Sequence, residues 1–408
     1  MKRSRYHGAM NMITDRQSIE DVFERGTVVE VFPSKQELIE ELVGGKRLKI
    51  YIGLDPTAPA LHLGHAKNLI FLEDLRQLGH EVIVLFGDFT AQIGDPSDKG
   101  AVRKQLTVEE VKNNLAHWMG DIGRLVDFET RDNPAVVKYN SEWLSKLNFE
   151  DIVSLASNFT VQQMLERDMF EKRIKEGTPI HLHEFLYPLM QGYDSVAMDV
   201  DAELCGTDQI FNAMAGRTLL KRLKDKDKFV IALNLLANPA TGELMSKSNG
   251  TGVFINLPPN ELFGAIMALP DPMIEPLFIN CTRIPLSEKE TIMSQGPREA
   301  KARIAFEIVK KLHGEDVAKV AEDAFDEIFA KKGVPDDAPE IALGKNDSLA
   351  DVLVAAKIVV SKADWRRLVA DGAIRTADND KISDPNFLVT KNIVLKVGKR
   401  RFVKIVRK

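Results

Sequence analysis

The order of apolar and polar residues predicts a strand, a helix and a second strand near the start of the chain. Residues 49–53 are apolar and β-prone, and Pro56 ends this run. From Leu61 onward, apolar residues recur at near-helical spacing until Gly79. Residues 80–87 form a nearly continuous apolar run, which is typical of a parallel strand covered on both faces. This order predicts a right-handed crossover unit of an α/β sheet.

Similar patterns predict the other elements before residue 258. Helices are expected at 19–25, 35–43, 107–125 and 150–175, and the last strand of this part is expected at 229–235. Thr107 and Glu110 match a capping box that starts the third helix. The segment 181–201 is expected to lead into another buried strand.

After residue 258 the pattern changes. Helices alone are predicted at 260–268, 287–295, 298–312 and 314–331, and a run rich in glycine, proline and aspartate at 332–347 predicts a linker. A small α+β unit follows, with helices at 349–360 and 363–371 and strands at 392–397 and 401–406. The sequence thus predicts a sheet domain at 1–257 and a helical domain at 258–333. A linker is predicted at 334–345 and a C-terminal domain at 346–408.

Composition restricts the class of protein. With 408 residues and 44% apolar residues, the chain is long enough for two or three domains with cores. Cys205 and Cys281 are too few for a disulfide framework or a four-thiolate zinc site. We find no apolar run of about 18 residues that offers a membrane span, and the basic N-terminus lacks the apolar core of a signal peptide. We therefore expect a cytoplasmic protein with no membrane partner.

The formal net charge of −5 hides an asymmetry. From residue 346 onward there are 14 lysines and arginines against 7 aspartates and glutamates, while the preceding part has 41 against 53. Charge alone leaves a merely solvated tail as an alternative. Because this tail also has the pattern of helices and strands, it predicts a small folded unit with basic residues on its surface.

Two histidines lie where the first sheet helix begins. His62 and His65 are three residues apart in its first turn. Unpaired backbone N–H groups and the positive end of the helix dipole favour a phosphate there. A second loop, 242–250, is flanked by glycine and carries Lys247, whose ammonium could swing onto a triphosphate. Taken alone, the pattern of this loop favours a solvated turn.

The motifs HLGH at 62–65 and MSKS at 245–248 together resemble the two signatures of class I aminoacyl-tRNA synthetases. Within this class, the segments YIGLDPTAPALHLGH, IGDPSDKGAVR, YPLMQGYD and CGTDQIFN resemble bacterial-type tyrosyl-tRNA synthetases, and the basic C-terminal unit is similar to an S4 RNA-binding domain. The resemblance covers about 48–408. It implies an α/β fold in which a Rossmann-like parallel-sheet catalytic domain precedes an all-α domain and a small α+β S4-like RNA-binding domain.

The resemblance also implies a tyrosine site. Tyr51 and Asp194 match the pair that hydrogen-bonds the substrate phenol, which uses one acceptor and one donor. Asp95, Tyr187 and Gln191 match the residues that hold the α-ammonium group of the substrate. Gln209 matches the residue that lies near its carboxylate. The spacing of positions 187, 191 and 194 puts these three residues near one helical face.

For ATP, the resemblance implies binding around both motifs, by Gly53, Asp55, Thr57, His62, Gly64, His65, Gly206, Asp208, Met245, Ser246, Lys247 and Ser248. The tyrosine carboxylate that attacks the α-phosphate is already an anion, so the protein's task is charge stabilisation rather than general-base catalysis. The expected catalytic donors to the phosphates are His62, His65, Lys247, Lys99 and Arg103. Mg²⁺ is expected to arrive with ATP, and neither a permanently bound cofactor nor a protein metal site is expected.

The implied partners are L-tyrosine, ATP and tRNA(Tyr), in a protein that is typically a homodimer in this family. The helical domain and the basic unit are expected to hold the tRNA largely through its phosphates. Candidate RNA-binding residues are Lys362, Arg366, Arg367, Arg400 and Arg401.

The chain departs from the family pattern at two places. Leu244 stands where the second motif usually begins with lysine, so more of the phosphate charge is expected to fall on Lys99 and Arg103. The glycine-rich segment of relatives is changed at Cys205, Thr207, Ile210 and Phe211, and the loss of glycine at Phe211 predicts a reshaped wall near the substrate.

Two alternatives are less consistent with these residues. A tryptophanyl enzyme would have no use for a phenol-binding Tyr51 and Asp194. An RNA-binding paralogue without catalysis would have no reason to keep His62, His65 and Lys247.

Overall fold

The computed structural model describes residues 12–95, 106–165, 168–246, 250–330, 338–344, 347–376, 381–389, 392–398 and 401–407. The chain forms two compact units, Met1–Ala318 and Lys319–Lys408. Each unit is built around its own β-sheet.

The first unit contains a six-stranded sheet. Its strands are β1 (Val28–Phe32), β2 (Lys49–Leu54), β3 (Glu81–Phe86), β4 (Val136–Tyr139), β5 (Ala202–Gly206) and β6 (Phe229–Leu233). They lie in the order β1-β6-β5-β2-β3-β4, and only β1 runs antiparallel to its neighbour. The chain passes from β2 to β3 and β4 and then returns to β5 on the other side of β2. Open α/β sheets bind ligands at such a reversal of strand order, beyond the carboxyl ends of the strands.

The helices of this unit cover the sheet and continue beyond it. They are α1 (Arg16–Phe23), α2 (Lys35–Val43), α3 (Leu63–Gln77), α4 (Thr90–Ile93), α5 (Val108–Ile122), α6 (Ser141–Leu144), α7 (Phe149–Ala156), α8 (Val161–Leu165), α9 (Asp168–Lys175), α10 (Tyr187–Met198), α11 (Ile210–Lys224), α12 (Pro259–Met267), α13 (Ile274–Cys281), α14 (Lys289–Ser294) and α15 (Pro297–His313). The next helix, α16 (Glu315–Ala330), begins in the first unit and continues into the second.

The predicted crossover unit is confirmed by β2, α3 and β3. The strands β3, β5 and β6 are buried along nearly their whole length, as expected for parallel strands with both faces covered. The predicted capping box is also present: Thr107 Oγ1 accepts the Glu110 N–H at 3.2 Å, and the Glu110 carboxylate accepts the Thr107 N–H at 2.8 Å. The first unit therefore has the α/β, Rossmann-like architecture that the sequence predicts.

Both edge strands of the sheet escape sequence-based prediction. Only one of the five residues of β1 is buried, Val29 is 58% exposed, and a bulge between Val28 and Glu30 interrupts its pairing with β6. β4 is short and only partly buried. Edge strands need not be continuously apolar, because one side of each is open. The segment 181–201 leads into a buried strand as expected, and it forms α10 before the chain reaches β5.

The second unit is a four-stranded sheet with two helices. Its strands are β7 (Glu340–Leu343), β8 (Ile374–Thr376), β9 (Ile393–Val397) and β10 (Arg401–Arg407), and its helices are α17 (Leu349–Ala355) and α18 (Lys362–Ala370). The strand order is β7-β10-β9-β8, with β7 parallel to β10 and the other pairs antiparallel. Leu353, Trp365, Leu395 and Val403 lie in its core.

The predicted strands at 392–397 and 401–406 correspond to β9 and β10. The linker predicted at 334–345 is wrong in its second half, because residues 340–343 pair with β10 as β7. Only three apolar residues complete this edge of the sheet, and the acidic and glycine residues around them hid the strand from a composition-based prediction.

No single helix among the described residues has the length and apolarity of a membrane span. One pair of helical segments, Pro259–Met267 with Asp271–Cys281, meets these criteria only when taken together, and it is bent by 112°.

Candidate active site

A cavity of about 370 Å³ lies beyond the carboxyl ends of β2 and β5, where the strand order reverses. The described residues that the sequence assigned to tyrosine and ATP all line it: Tyr51, Gly53, Asp55, Thr57, His62, Gly64, His65, Asp95, Tyr187, Gln191, Asp194, Gly206, Asp208, Gln209, Met245 and Ser246. These residues come from distant parts of the chain, and the sheet topology brings them to one cavity.

The two motif histidines cap the N-terminus of α3 reciprocally. His62 is the N-cap residue, and its Nδ1 accepts the Gly64 N–H at 3.1 Å. The backbone N–H of His62 in turn donates to Nδ1 of His65 at 3.3 Å. Because both Nδ1 atoms accept hydrogen bonds, each ring carries its proton on Nε2.

Both histidines are neutral at physiological pH. Burial lowers the pKa of His62 to about 4. Burial and the neighbouring His62 lower the pKa of His65 to about 3. They can therefore donate hydrogen bonds to phosphate oxygens from Nε2–H, but they add no positive charge of their own.

Gly64 is required by this geometry. A Cβ atom at this position would lie 2.8 Å from the His62 ring. The glycine of the first motif thus permits the close approach of the capping imidazole.

One end of the cavity carries the residues assigned to the substrate phenol. Tyr51 is fully buried, and its hydroxyl lies 3.0 Å from Ser195 Oγ. The Asp194 carboxylate accepts from Trp143 Nε1 at 2.7 Å and from Asn140 Nδ2 at 3.3 Å. Burial raises the pKa of Asp194 well above its ordinary value. Tyr51 and Asp194 are therefore each held by a different polar neighbour while both line the cavity.

Asp55 is hydrogen-bonded to one of the residues assigned to the ammonium group. Tyr187 Oη donates to Asp55 Oδ2 at 2.8 Å, and Thr90 Oγ1 donates to Asp55 Oδ1 at 2.7 Å. Burial raises the pKa of Asp55 to about 7. Asp55, which the sequence assigned to ATP, thus also contacts a residue of the tyrosine group.

The predicted helical face is confirmed, since Tyr187, Gln191 and Asp194 all lie on α10 and line the cavity. Gln191 Nε2 donates to Glu203 Oε1 at 2.9 Å. Its carbonyl oxygen is consequently the atom of this amide that is available to accept from a ligand.

Gln209 is held by residues on either side. Its Nε2 donates to Asp95 Oδ2 at 2.6 Å, and its Oε1 accepts from Asn212 Nδ2 at 2.7 Å. Of the departures from the family pattern in this region, Cys205 lines the cavity. Phe211 is not among the residues that line it, so the structure does not place Phe211 in the cavity wall.

The second motif is described only in part. Leu244, Met245 and Ser246 line the cavity, and Thr251 anchors this turn by accepting the Ser246 N–H at 3.1 Å and donating to the Leu244 carbonyl at 3.0 Å. The predicted site residues that lie outside the described residues are Lys99, Arg103, Lys247, Ser248 and Arg400.

Lys67 is a cavity residue that the sequence analysis missed. It lies one turn into α3 and is only 1% exposed. Among the described residues, the hydrogen-bond partner of its ammonium is the neutral Asn68 Oδ1, at 2.7 Å. Burial lowers the pKa of Lys67 to about 8.

The sequence analysis also missed five residues that form hydrogen bonds with the substrate-facing side chains or with one another: Asn140, Trp143, Ser195, Glu203 and Lys228. A charged residue within a fully buried strand, as at Glu203, is the one sequence signal that could have identified a member of this group. The described residues contain no cluster of three or more histidine, cysteine, aspartate or glutamate side chains that could hold a metal ion.

The candidate RNA-binding residues described in the second unit are exposed. Lys362, Arg366 and Arg367 lie on α18, and Arg401 begins β10. Lys362 pairs with Asp351, and Arg367 pairs with Asp364 at 2.7 Å.

Comparisons with known proteins agree with this geometry. Residues 44–330 match the family described as tRNA synthetases class I (W and Y). The chain is 43% identical to the tyrosine–tRNA ligase of Carboxydothermus hydrogenoformans, over 95% of this chain and 97% of the relative. It is 39% identical to the tyrosine–tRNA ligase of Thermotoga maritima, over 91% of this chain and 94% of the relative.

Solved structures share the fold. A C-terminally truncated mitochondrial tyrosyl-tRNA synthetase of Aspergillus nidulans superposes with a TM-score of 0.64 at 24% identity, covering 76% of this chain and 94% of that one. The tyrosyl-tRNA synthetase of Archaeoglobus fulgidus complexed with L-tyrosine gives a TM-score of 0.57 at 20% identity, over 76% and 100%. The chain therefore belongs to the class I tRNA synthetases, within the family of tyrosine–tRNA ligases, and is an aminoacyl-tRNA ligase.

Proposed function

We propose that this enzyme activates L-tyrosine with ATP and transfers it to the 3′-terminal adenosine of tRNA(Tyr). The observation that carries the proposal is that the phenol-binding pair Tyr51 and Asp194 lines the same cavity as the helix end at His62 and His65. Such a cavity can hold an amino acid and the phosphates of ATP side by side.

In the first step the tyrosine carboxylate attacks the α-phosphate in line, and pyrophosphate leaves. The carboxylate is already ionised, so positioning and electrostatic stabilisation supply the catalysis. The neutral Nε2–H groups of His62 and His65 donate to phosphate oxygens, and Lys247, Lys99 and Arg103 add positive charge. Mg²⁺ enters bound to the ATP phosphates and further offsets their charge.

Selectivity for tyrosine follows from burial. Asp194 accepts a hydrogen bond from the phenol and Tyr51 faces the phenol oxygen, so phenylalanine would forfeit both of these hydrogen bonds in a buried site. Tyrosyl-tRNA synthetases are the established example of this effect, with discrimination of about 10⁵-fold against phenylalanine. Asp95, Tyr187 and Gln191 hold the ammonium group, and Gln209 faces the carboxylate.

In the second step the terminal ribose 2′-hydroxyl of the tRNA attacks the carbonyl carbon of tyrosyl-adenylate. The tyrosyl ester forms, the hydroxyl loses its proton and AMP leaves. We assign tRNA binding to an all-α domain at 258–333 and to an S4-like domain in the basic C-terminal part, through Lys362, Arg366, Arg367, Arg400 and Arg401. The exposed cations of α18 support this assignment, since phosphate contacts dominate RNA affinity.

We further propose a cytoplasmic homodimer. Phe149 and Leu182 are each 81% exposed, and Val153 is 54% exposed. Large apolar side chains in water are typical of an interface, and a second copy of the chain is the partner that the family suggests.

ATP–pyrophosphate exchange with each of the twenty amino acids tests the proposal. We expect exchange with tyrosine alone. Exchange with tryptophan would support the tryptophanyl alternative, and exchange with no amino acid would support the paralogue without catalysis. Replacing both Arg366 and Arg367 with glutamate should weaken tRNA charging while leaving exchange unchanged, and normal charging would remove these residues from the RNA site.

A further inference from the structure

A buried ion pair lies behind the tyrosine end of the cavity. Lys228, just before β6, pairs with Glu203 on β5, and their side chains are 0% and 2% exposed. Taking two charges out of water is expensive, and replacing such a pair with apolar residues is often neutral or stabilising. Its two ends contact Ser195 and Gln191, which connects it to the residues that face the substrate.

The first connection fixes the direction of the Tyr51 hydroxyl proton. Lys228 Nζ is a donor only and donates to Ser195 Oγ at 2.8 Å. The Ser195 hydroxyl can then donate to Tyr51 Oη at 3.0 Å or to Glu203 Oε2 at 3.4 Å. Because 3.4 Å exceeds the usual range for an O–H···O bond, Ser195 donates to Tyr51. With Ser195 donating to it, the Tyr51 hydroxyl keeps its own proton for donation, to the nearby Glu203 carboxylate or, when substrate is bound, to a phenol oxygen in the cavity.

The second connection fixes the amide of Gln191. The Glu203 carboxylate only accepts hydrogen bonds, and its Oε1 takes Gln191 Nε2 at 2.9 Å. The amide oxygen of Gln191 is thus left for the cavity. If the amide were flipped, two acceptors would face each other in a buried site.

A glycine makes the cluster sterically possible. A Cβ atom at Gly216 on α11 would lie 2.6 Å from Lys228 Nζ and 2.8 Å from Ser195 Oγ. The absence of a side chain at this position provides the space in which the ammonium meets the serine.

We infer that Lys228 and Glu203 are positioning residues that set the hydrogen-bond polarity of the tyrosine site, Tyr51 as a donor to the phenol oxygen and Gln191 as an acceptor for the ammonium. This inference rests on the proposed function. Asp194 complements this arrangement because it accepts a hydrogen bond from the phenol hydroxyl. The substrate hydroxyl thus meets one donor and one acceptor.

The test compares variants of the full-length protein in pyrophosphate exchange with tyrosine and with phenylalanine. Ser195→Ala removes the donor to Tyr51 with little change in volume, and we expect it to lower the tyrosine-to-phenylalanine ratio of kcat/KM about tenfold. Glu203→Gln allows the Gln191 amide to flip, and we expect the KM for tyrosine to rise about tenfold with a much smaller change in the KM for ATP.

The double variant Lys228→Met with Glu203→Gln removes both charges together and so avoids a lone buried charge. We expect it to lose discrimination at least as strongly as Ser195→Ala. Lys221→Met is the matched control, since Lys221 forms only exposed ion pairs with Asp225 and Asp227. Thermal unfolding of each variant separates loss of folding from loss of selectivity.

The outcomes separate the two proposals. A wild-type enzyme without tyrosine-dependent exchange overturns the proposed function and this inference with it. A tyrosine-specific wild type whose folded Ser195→Ala variant keeps its discrimination and whose folded Glu203→Gln variant keeps its KM for tyrosine overturns the inference alone. If a variant at Lys228 or Glu203 does not fold, Ser195→Ala still tests the inference through its tyrosine-to-phenylalanine ratio of kcat/KM.

Discussion

His62 and His65 hold each other in one tautomer: the backbone N–H of His62 donates to Nδ1 of His65 at 3.3 Å, while Nδ1 of His62 accepts from the same helix end. The same contacts cap α3 and direct two Nε2–H donors outward. Under the proposed function, capping and phosphate binding share these side chains, and a substitution that separates the two roles is informative.

His62→Asn should separate them. Asparagine is a good N-cap residue, so folding stability should stay within about 1 kcal/mol of the wild type. Its amide does not place a donor where Nε2–H lies, and we expect adenylate formation to slow about 100-fold, as for the loss of one donor to a developing oxyanion. Stopped-flow measurement of adenylate formation together with thermal unfolding checks both parts. A rate close to wild type would show that His62 serves only as a cap.

Leu244→Lys should restore the phosphate donor that the second motif lacks. Leu244 lines the cavity, so a lysine at this position can reach a bound triphosphate. We expect adenylate formation to accelerate by about three- to tenfold, since a partly solvated charge-assisted contact contributes about 1 kcal/mol. Leu244→Met is the control for side-chain length. A lysine variant no faster than the methionine variant would argue that other cations already fill this role.

Asp55 should make tyrosine binding depend on pH near neutrality. Its pKa of about 7 reflects burial, with Asp95 and Asp88 nearby, against hydrogen bonds from Thr90 and Tyr187. The ionised carboxylate predominates above pH 7 and favours the substrate ammonium, so the KM for tyrosine should fall as pH rises from 6 to 8.

Asp55→Asn provides the control for this dependence. The variant keeps the shape of the side chain but cannot ionise, so its KM should be high and nearly constant over the same range. Steady-state exchange at several pH values measures both proteins. A wild-type KM that does not change between pH 6 and 8 would contradict the assignment.

Lys67→Met should stabilise the fold and weaken ATP binding. The pKa of Lys67 falls from 10.5 to about 8 on folding, so burying the ammonium costs on the order of 3 kcal/mol below pH 8. Between pH 8 and 10.5 the unfolded chain holds this proton longer than the folded chain, and wild-type stability should rise with pH. The variant should therefore be more stable at pH 7, with an advantage that shrinks toward pH 10.5.

Thermal unfolding with and without ATP measures both effects of Lys67. The ATP phosphates bring negative charge into the cavity that Lys67 lines, so ATP should stabilise the wild type more than the variant. A variant that is less stable at pH 7, or one that ATP stabilises equally, would remove Lys67 from the nucleotide site.

The central part of the fold was predictable from the sequence because its strands are continuous apolar runs. The buried strands β3 and β6 and the helix α3 were identified within a few residues. The edge strands β1 and β7 were not, since β1 is mostly exposed and β7 is four residues long within a segment of linker-like composition. These two segments are strands because they pair with a neighbouring strand, and not because their own pattern of apolar and polar residues is typical of a strand.

The site was predictable to a similar degree. Tyr51, Asp194 and the first motif were recognised from contiguous segments with specific spacing. Ser195 and Lys228 were not, because neither is unusual in its local sequence and their contact joins α10 to a residue 33 positions later in the chain. Lys67 was overlooked for a different reason: its burial reverses the usual expectation for a lysine on a helix.

The glycine at position 216 limits how the substrate range of this enzyme can change. Any side chain there would displace the ammonium of Lys228 and the hydroxyl of Ser195. Gly192 is similarly constrained, since a Cβ atom would lie 2.9 Å from Leu219 and 3.2 Å from the backbone of α11. Engineering this enzyme to accept larger phenols therefore has to leave both glycines in place, because the contact between α10 and α11 has no room for an added side chain.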